Sequence, residues 1–269
     1  MMRAGALLLP ALALAGCNLL GSDEGGSAAN DKVAIAPTPT PAPSDAKPVA
    51  LKVSENTPLF SFDFAYPLEV AAIPELKERL DREMARSKTR LVDLAKEAEA
   101  NAKKQGFPYN AYAEGTNWQV VVNTPRFLSL SAAIYSYTGG AHPDSGTKTL
   151  VWDREAKRAL SPLDFFTSAE ALDETIRETY CAALDKERGQ RRGPEGDKIE
   201  GEFGQCPPIK DLTVLLGSSN GKKFNRLGLV ADPYVAGPYA EGDYDITIPV
   251  TAQVLEVVRP AYRDVFAPR

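Results

Sequence analysis

The sequence predicts an α+β fold: antiparallel sheet hairpins with amphipathic helices packed on one face, in one body or in two small lobes. Three observations carry that reading. Short runs alternate apolar and polar residues with a period of two, as half-buried strands do. These runs come in pairs around turn residues, and two long stripes of helical period are inserted between the pairs instead of alternating with strands one for one.

Taken in order, residues 1–16 carry Arg3, an apolar run from Ala4 to Ala15 and small residues before Cys17. A basic start, a short apolar centre and Leu14-Ala-Gly-Cys17 describe a lipoprotein signal peptide, with Cys17 as the acylated residue. Fourteen or so apolar positions are too few to span a membrane. The expected address is exported and lipid-anchored, and Asn18 after the cysteine resembles lipoproteins on the periplasmic face of the outer membrane, if the cell is Gram-negative. Residues 17–54 read as a tether: Ala36-Pro-Thr-Pro-Thr-Pro-Ala-Pro43 favours an extended polyproline-like chain at ~3 Å per residue.

The globular part then divides into portions 55–125 and 126–267. Phe60, Phe62 and Phe64 alternate with Ser61, Asp63 and Ala65, which predicts a strand ending near Val70. Pro74 opens a helix, where its missing N–H is harmless. Leu76, Leu80, Met84, Leu91, Leu94 and Ala98 form one stripe of that helix, and Gly106-Phe-Pro108 ends it. Trp118–Asn123 and Phe127–Tyr137 are neighbouring strands joined at Thr124-Pro125, and Thr147–Trp152 is a third. Ser161-Pro-Leu-Asp164 is a capping sequence for a second amphipathic helix. Leu172, Ile176, Tyr180 and Ala183 should face inward on it, and it should stop before Gly189. The charged stretch 189–202 reads as an exposed loop. Leu212–Leu216 and Phe224–Ala231 form a hairpin around Asn220-Gly221. Tyr244–Val250 is a further strand, and Thr251 caps a last helix broken by Pro260.

One stretch gathers unusual chemistry. Tyr135-Ser-Tyr-Thr-Gly-Gly-Ala-His-Pro143 ends a strand, supplies the turn glycines Gly139 and Gly140, and holds the single histidine of 269 residues. On residue chemistry alone this is a tight hairpin with a solvent-facing His142. Tyr137-Thr-Gly-Gly-Ala-His-Pro143, Leu163-Asp-Phe-Phe166, and Pro238-Tyr-Ala-Glu-Gly242 followed by Ile246-Thr-Ile-Pro249 resemble the signature of the RsiV-like domain. The resemblance covers about residues 55–267. That domain forms the outer part of a lysozyme-sensing anti-sigma factor, and also occurs beside polysaccharide deacetylase domains and in envelope lipoproteins. It implies an α+β fold and a partner such as a lysozyme-like muramidase or peptidoglycan.

Other chemistry is thin. A net charge of −5 offers no basic patch for nucleic acid. Cys181 and Cys206, the pair left after Cys17, are most simply a disulfide in an exported protein, closing a loop worth roughly 3 kcal/mol. Gly217-Ser-Ser-Asn-Gly221 matches a serine-hydrolase pattern, but a strand and not a helix follows, and His142 lies upstream. One histidine cannot supply a zinc hydrolase, so no metal or cofactor is expected. Glu241, Asp243 and Asp245 fall on one strand face; a solvated acidic face accounts for them, and their spacing matches no calcium loop. The expected function is binding or sensing, with no catalytic residue assigned. Ligand contacts fall to Tyr135, Tyr137, Thr138, Gly139, Gly140, His142 and Tyr239, because tyrosines give rigid contact area and Gly-Gly amides can converge on an anion. A cell-wall hydrolase working through Asp/Glu residues, or a purely structural domain, is the alternative.

Overall fold

A computed structural model describes residues 47–193 and 201–269. The expected signal peptide, Cys17, most of the expected tether and the middle of the 189–202 stretch lie outside the described residues. The fold is α+β, as expected, with two sheets in one compact unit, Ala46–Arg269.

The larger sheet has six strands in chain order: β1 (Leu51–Asn56), β2 (Phe60–Tyr66), β3 (Tyr112–Asn123), β4 (Phe127–Tyr137), β5 (Asp144–Asp153) and β6 (Arg158–Leu160). β1 begins inside the segment read as tether. β2 ends at Tyr66, short of Val70, because Pro67 turns the chain into the short helix α1 (Leu68–Ala71). β3 starts at Tyr112, well before Trp118. All neighbours are antiparallel except β2 and β3, which run parallel. That departure from the antiparallel expectation follows from α2 (Pro74–Gln105), whose length returns the chain to the sheet in the same direction. The expected division at 125/126 falls in the turn between β3 and β4, inside this one sheet.

Phe60, Phe62, Phe64 and Tyr66 alternate onto one face of β2 and bury themselves under Leu76, Leu80, Leu91 and Ala95 of α2. Each phenylalanine so buried contributes about 1.5–3 kcal/mol. Leu94 departs from the predicted stripe and is 46% exposed. Gly106, at φ 76°, closes the helix, its amide donating to Lys103 O, while Phe107 N–H reaches Ala102 O.

The smaller sheet is β7 (Thr213–Gly217), β8 (Arg226–Ala231) and β9 (Tyr244–Pro249), all antiparallel. Its core includes α3 (Ala169–Arg192) and α4 (Ala252–Val257). Thus each sheet packs its own helix. Between them Phe127, Phe165, Phe224, Tyr262 and Phe266 cluster with ring centroids 4.5–6.2 Å apart, which ties the start of β4 to the C-terminal segment.

Three helical expectations change. Ser161 does form a capping box with Asp164, but around a 3₁₀ turn, Pro162–Phe165; α3 starts later, capped by Ser168. Its inner stripe is Leu172, Ile176, Tyr180, Leu184 and Arg188, so Leu184 takes the place predicted for Ala183. The helix runs through Gly189 to Arg192, because its last arginines have partners to reach. Cys181 and Cys206 are bonded, with Cα atoms 5.6 Å apart.

Candidate functional site

The β4–β5 loop carries His142 out beyond the sheet. Gly139 takes a left-handed backbone, φ 85°, and a Cβ there would stand 3.7 Å from the Tyr112 ring. Gly140 has no such need. The imidazole of His142 is exposed but not free. It lies flat against Tyr239, centroids 3.9 Å apart and planes 21° from parallel. Nδ1 sits 3.0 Å from Pro143 O, and Nε2 sits 3.1 Å from the Tyr234 hydroxyl. In the tautomer with the proton on Nδ1, that nitrogen donates to the carbonyl and Nε2 accepts from the phenol. Tyr234 is 51% exposed and holds φ 73°, a conformation rare for a bulky residue. Three rings from two distant loops therefore make one outward-facing tier.

The second loop, between β8 and β9, is held from behind by the end of α3. Arg188 is 4% exposed; its Nε and Nη2 donate to Ala236 O at 3.1 and 2.8 Å, and Nη2 also reaches Gln205 O at 2.8 Å. Arg191 Nη1 donates to Glu241 O and Asp243 O while its guanidinium lies over the Tyr244 ring at 4.1 Å. Arg192 grips Glu241 with two parallel bonds, 2.9 and 2.8 Å. Burial would push the Glu241 carboxyl up, but Arg192 and the Tyr244 hydroxyl outweigh it and hold the group below its ordinary range. Gly237 makes this packing feasible, since a Cβ there would fall 2.2 Å from Glu241 Oε2. From the front, Asp232 Oδ2 accepts the Thr147 amide at 3.1 Å and fastens the loop to β5. Burial first, then Asp243, raise the Asp232 carboxyl despite that bond.

The predicted residues divide. His142 and Tyr239 meet in the tier. Tyr135 and Thr138 instead line a cleft of about 430 Å³, with Leu91 and Leu94 of α2, Tyr112, Glu114 and Lys148. Arg90 pairs with Glu114 at its wall. Tyr137 is half-buried opposite Ala113, outside both features. The three carboxylates expected on one strand face do not share it. Glu241 sits in a 3₁₀ turn bound to Arg192, Asp243 precedes β9, and only Asp245 is on the strand. The Gly217–Gly221 stretch is a turn: Ser218 Oγ accepts from the Gly221 amide, Ser219 Oγ accepts from Asn225, and no helix follows before β8. Sequence reading missed Tyr234 and the arginine clamp. Asp232-Pro-Tyr234 carries a turn signal with an aromatic at its tip; Arg188 follows Leu184 by four positions, the helical spacing that puts it on the inner stripe.

Residues 53–145 match the family model described as Deacetylase PdaC, a span that ends just past His142. Among solved structures, a DUF3298 family member from Bacteroides fragilis is similar at 22% identity and a TM-score of 0.49, over 80% of this chain and 94% of that one. A DUF3298 family protein from Pseudomonas aeruginosa is similar at 17% identity and a TM-score of 0.49, over 84% and 99%. No curated protein matches the chain.

Proposed function

We propose that this chain is an envelope-tethered binding module that presents the His142–Tyr234–Tyr239 tier to a lysozyme-like muramidase or to peptidoglycan. The observation that carries the reading is the tier itself: three aromatic rings gathered at the surface, His142 and Tyr234 exposed and Tyr239 half-buried, with the β8–β9 loop clamped from both sides. Rigid aromatic area costs little entropy to dock, and such residues dominate binding energy at interfaces. Flat ring faces also suit the apolar faces of sugars. A net charge of −5 favours encounter with a basic partner, chiefly through the on-rate. Cys17 as lipid anchor and the proline-rich tether complete the proposal, since they would leave the domain free to search the space near its membrane.

The family description names a deacetylase. Metal-assisted removal of an acetyl group requires a donor set around one ion. The lone imidazole here has both nitrogens engaged, and the described residues contain no group of three His, Cys, Asp or Glu side chains able to hold a metal. The described residues do not fit that chemistry.

The test is capture by the immobilised full-length protein, with a purified muramidase in one arm and peptidoglycan sacculi in the other. Retention in either arm should fall about thirtyfold for Tyr239→Ala, or ~2 kcal/mol, the size of an aromatic hot spot. Tyr234→Gly should weaken capture as well while relieving a left-handed backbone, so stability should hold. No capture of either probe, or capture unchanged by both variants, overturns the proposal. Labelling with a fatty-acid analogue checks the anchor: Cys17→Ala should lose the label entirely.

A further inference from the structure

We infer that the Cys181–Cys206 disulfide sets the order of the β8–β9 loop, so that its reduction by a dithiol loosens the aromatic tier while both sheets stay folded. The device is a strap, residues 203–209, laid along α3. Ile209 N–H donates to Asp173 Oδ1 at 2.8 Å, and Cys206 is bonded to Cys181. Gln205 O accepts from Arg188 Nη2 at 2.8 Å, and Phe203 O lies 3.4 Å from Arg192 Nη1. Positions 173, 181, 188 and 192 are each one or two turns from the next, so they fall on one side of the helix and the strap follows it. The same two arginines hold the tier loop. Ala236 O accepts from Arg188 Nε and Nη2 at 3.1 and 2.8 Å, and from Arg192 Nη2 at 3.3 Å. Each guanidinium is thus shared between a strap carbonyl and a loop carbonyl.

Burial makes that sharing matter. The two arginine side chains are only 4% and 6% exposed. A hydrogen bond kept from water is stronger than a hydrated one, because water does not compete for the donor. Lifting the strap removes a protein partner from each guanidinium and admits water there, which weakens the hold on Ala236 O. The sequence makes the strap easy to lift. Cys206-Pro-Pro208 lacks an amide N–H at two successive positions, so its backbone cannot pair with a helix or strand there. Besides the buried Pro207 and the contacts above, the covalent link is what fixes it. Cys181 and Cys206 are both partly exposed. Thiolate attack on one sulfur gives a mixed disulfide and releases the other cysteine; the second thiol of the dithiol then displaces the first. Two electrons pass to the cystine, the two protons of the dithiol end on Cys181 and Cys206, and the dithiol leaves as a disulfide. The inference concerns the order of the loop and stands whether or not the tier binds a muramidase or peptidoglycan.

The experiment measures amide hydrogen exchange of the full-length protein before and after dithiothreitol, with alkylation and mass spectrometry establishing that Cys181 and Cys206 are reduced. The amides of Tyr234 and Val235, which donate to Gly237 O and Asp232 O, should exchange about tenfold faster or more. The amides of Leu130 in β4 and Leu229 in β8 should keep their protection. Cys206→Ser should show the fast exchange without reductant and should not respond to dithiothreitol, which separates the bond from any other effect of the reagent. Should that variant fail to fold, the reduced native protein carries the test. Unchanged exchange at Tyr234 once both thiols are free overturns the inference. Equal acceleration at Leu130 and Leu229 overturns it too, since the bond would then be a staple of the whole fold.

Discussion

Adjacent glycines at the tip of the β4–β5 hairpin have different tasks. Gly139 holds φ 85°, where an L residue loses about 1–2 kcal/mol, whereas Gly140 lies outside that region and a Cβ there would meet only His142 O at 3.9 Å. Gly139→Ala should therefore lower stability by about 1–2 kcal/mol, and Gly140→Ala should change it by less than about 0.5 kcal/mol. Equilibrium denaturation of the two variants decides the point; equal losses would show that the loop is strained at both positions. The expectation from sequence gave the pair one role. Backbone dihedrals separate them, and no residue type could have done so, since the two are the same.

At the scale of elements, the end of α3 is the support for the β8–β9 loop. Arg188 lies in the helix stripe at the spacing of Leu172, Ile176, Tyr180 and Leu184, so helical geometry alone delivers it to the interior. There its guanidinium satisfies the carbonyls of Ala236 and Gln205. The second of these neighbours Cys206, which the disulfide holds to Cys181 on the same helix. Arg188→Met keeps the apolar stem but removes the donors to both carbonyls, leaving Ala236 O only the longer bond from Arg192 Nη2 at 3.3 Å, and should cost about 1–3 kcal/mol. Denaturant titration should show a loss of that order. Hydrogen exchange should show the Tyr234 amide, which now donates to Gly237 O, becoming less protected. Protection at Tyr234 equal to wild type would mean that the loop stands without the clamp. Arg192 and Glu241 would then be the sufficient contact.

Over the whole molecule, buried carboxylates set the acid limb of stability. Burial by itself would raise Asp153, whose side chain is 1% exposed, but Arg126 and the amides of Ala156 and Glu155 outweigh it and lower the group. A carboxyl lowered in the fold contributes stability that is present above its unfolded value, about 3.9, and is lost as pH falls through the folded value. Unfolding free energy should thus decline on acidification below about pH 4, and Asp153→Asn should flatten that decline while lowering the neutral plateau. Asp232 has the opposite sign. Its raised carboxyl weakens the fold at neutral pH and ceases to do so as it protonates. Asp232→Asn, still able to accept the Thr147 amide, should gain stability at pH 7. Denaturation at a series of pH values measures both; identical acid limbs for wild type and Asp153→Asn would remove Asp153 from the account.

Local physics alone determined much of this protein. Period-two alternation located β2, β4, β8 and β9, the apolar stripe and Pro74 located α2, and an isolated cysteine pair gave the Cys181–Cys206 bond. Each of these depends on neighbours a few residues away, or on there being no other thiol to choose in the globular chain. Tertiary structure decided the rest. The parallel pairing of β2 with β3 depends on where a 32-residue helix returns the chain. Full burial of Phe127, Leu128, Ser129 and Leu130 replaces the expected in-and-out burial at the start of β4, because that stretch is covered on both faces. His142 and Tyr239 were both legible as contact residues, but ninety-odd positions apart nothing local says that their rings stack. The partners of Tyr234 and Arg188 were silent in sequence for the same reason: they lie on other elements, and only the folded chain brings a phenol to an imidazole or a guanidinium to a distant carbonyl.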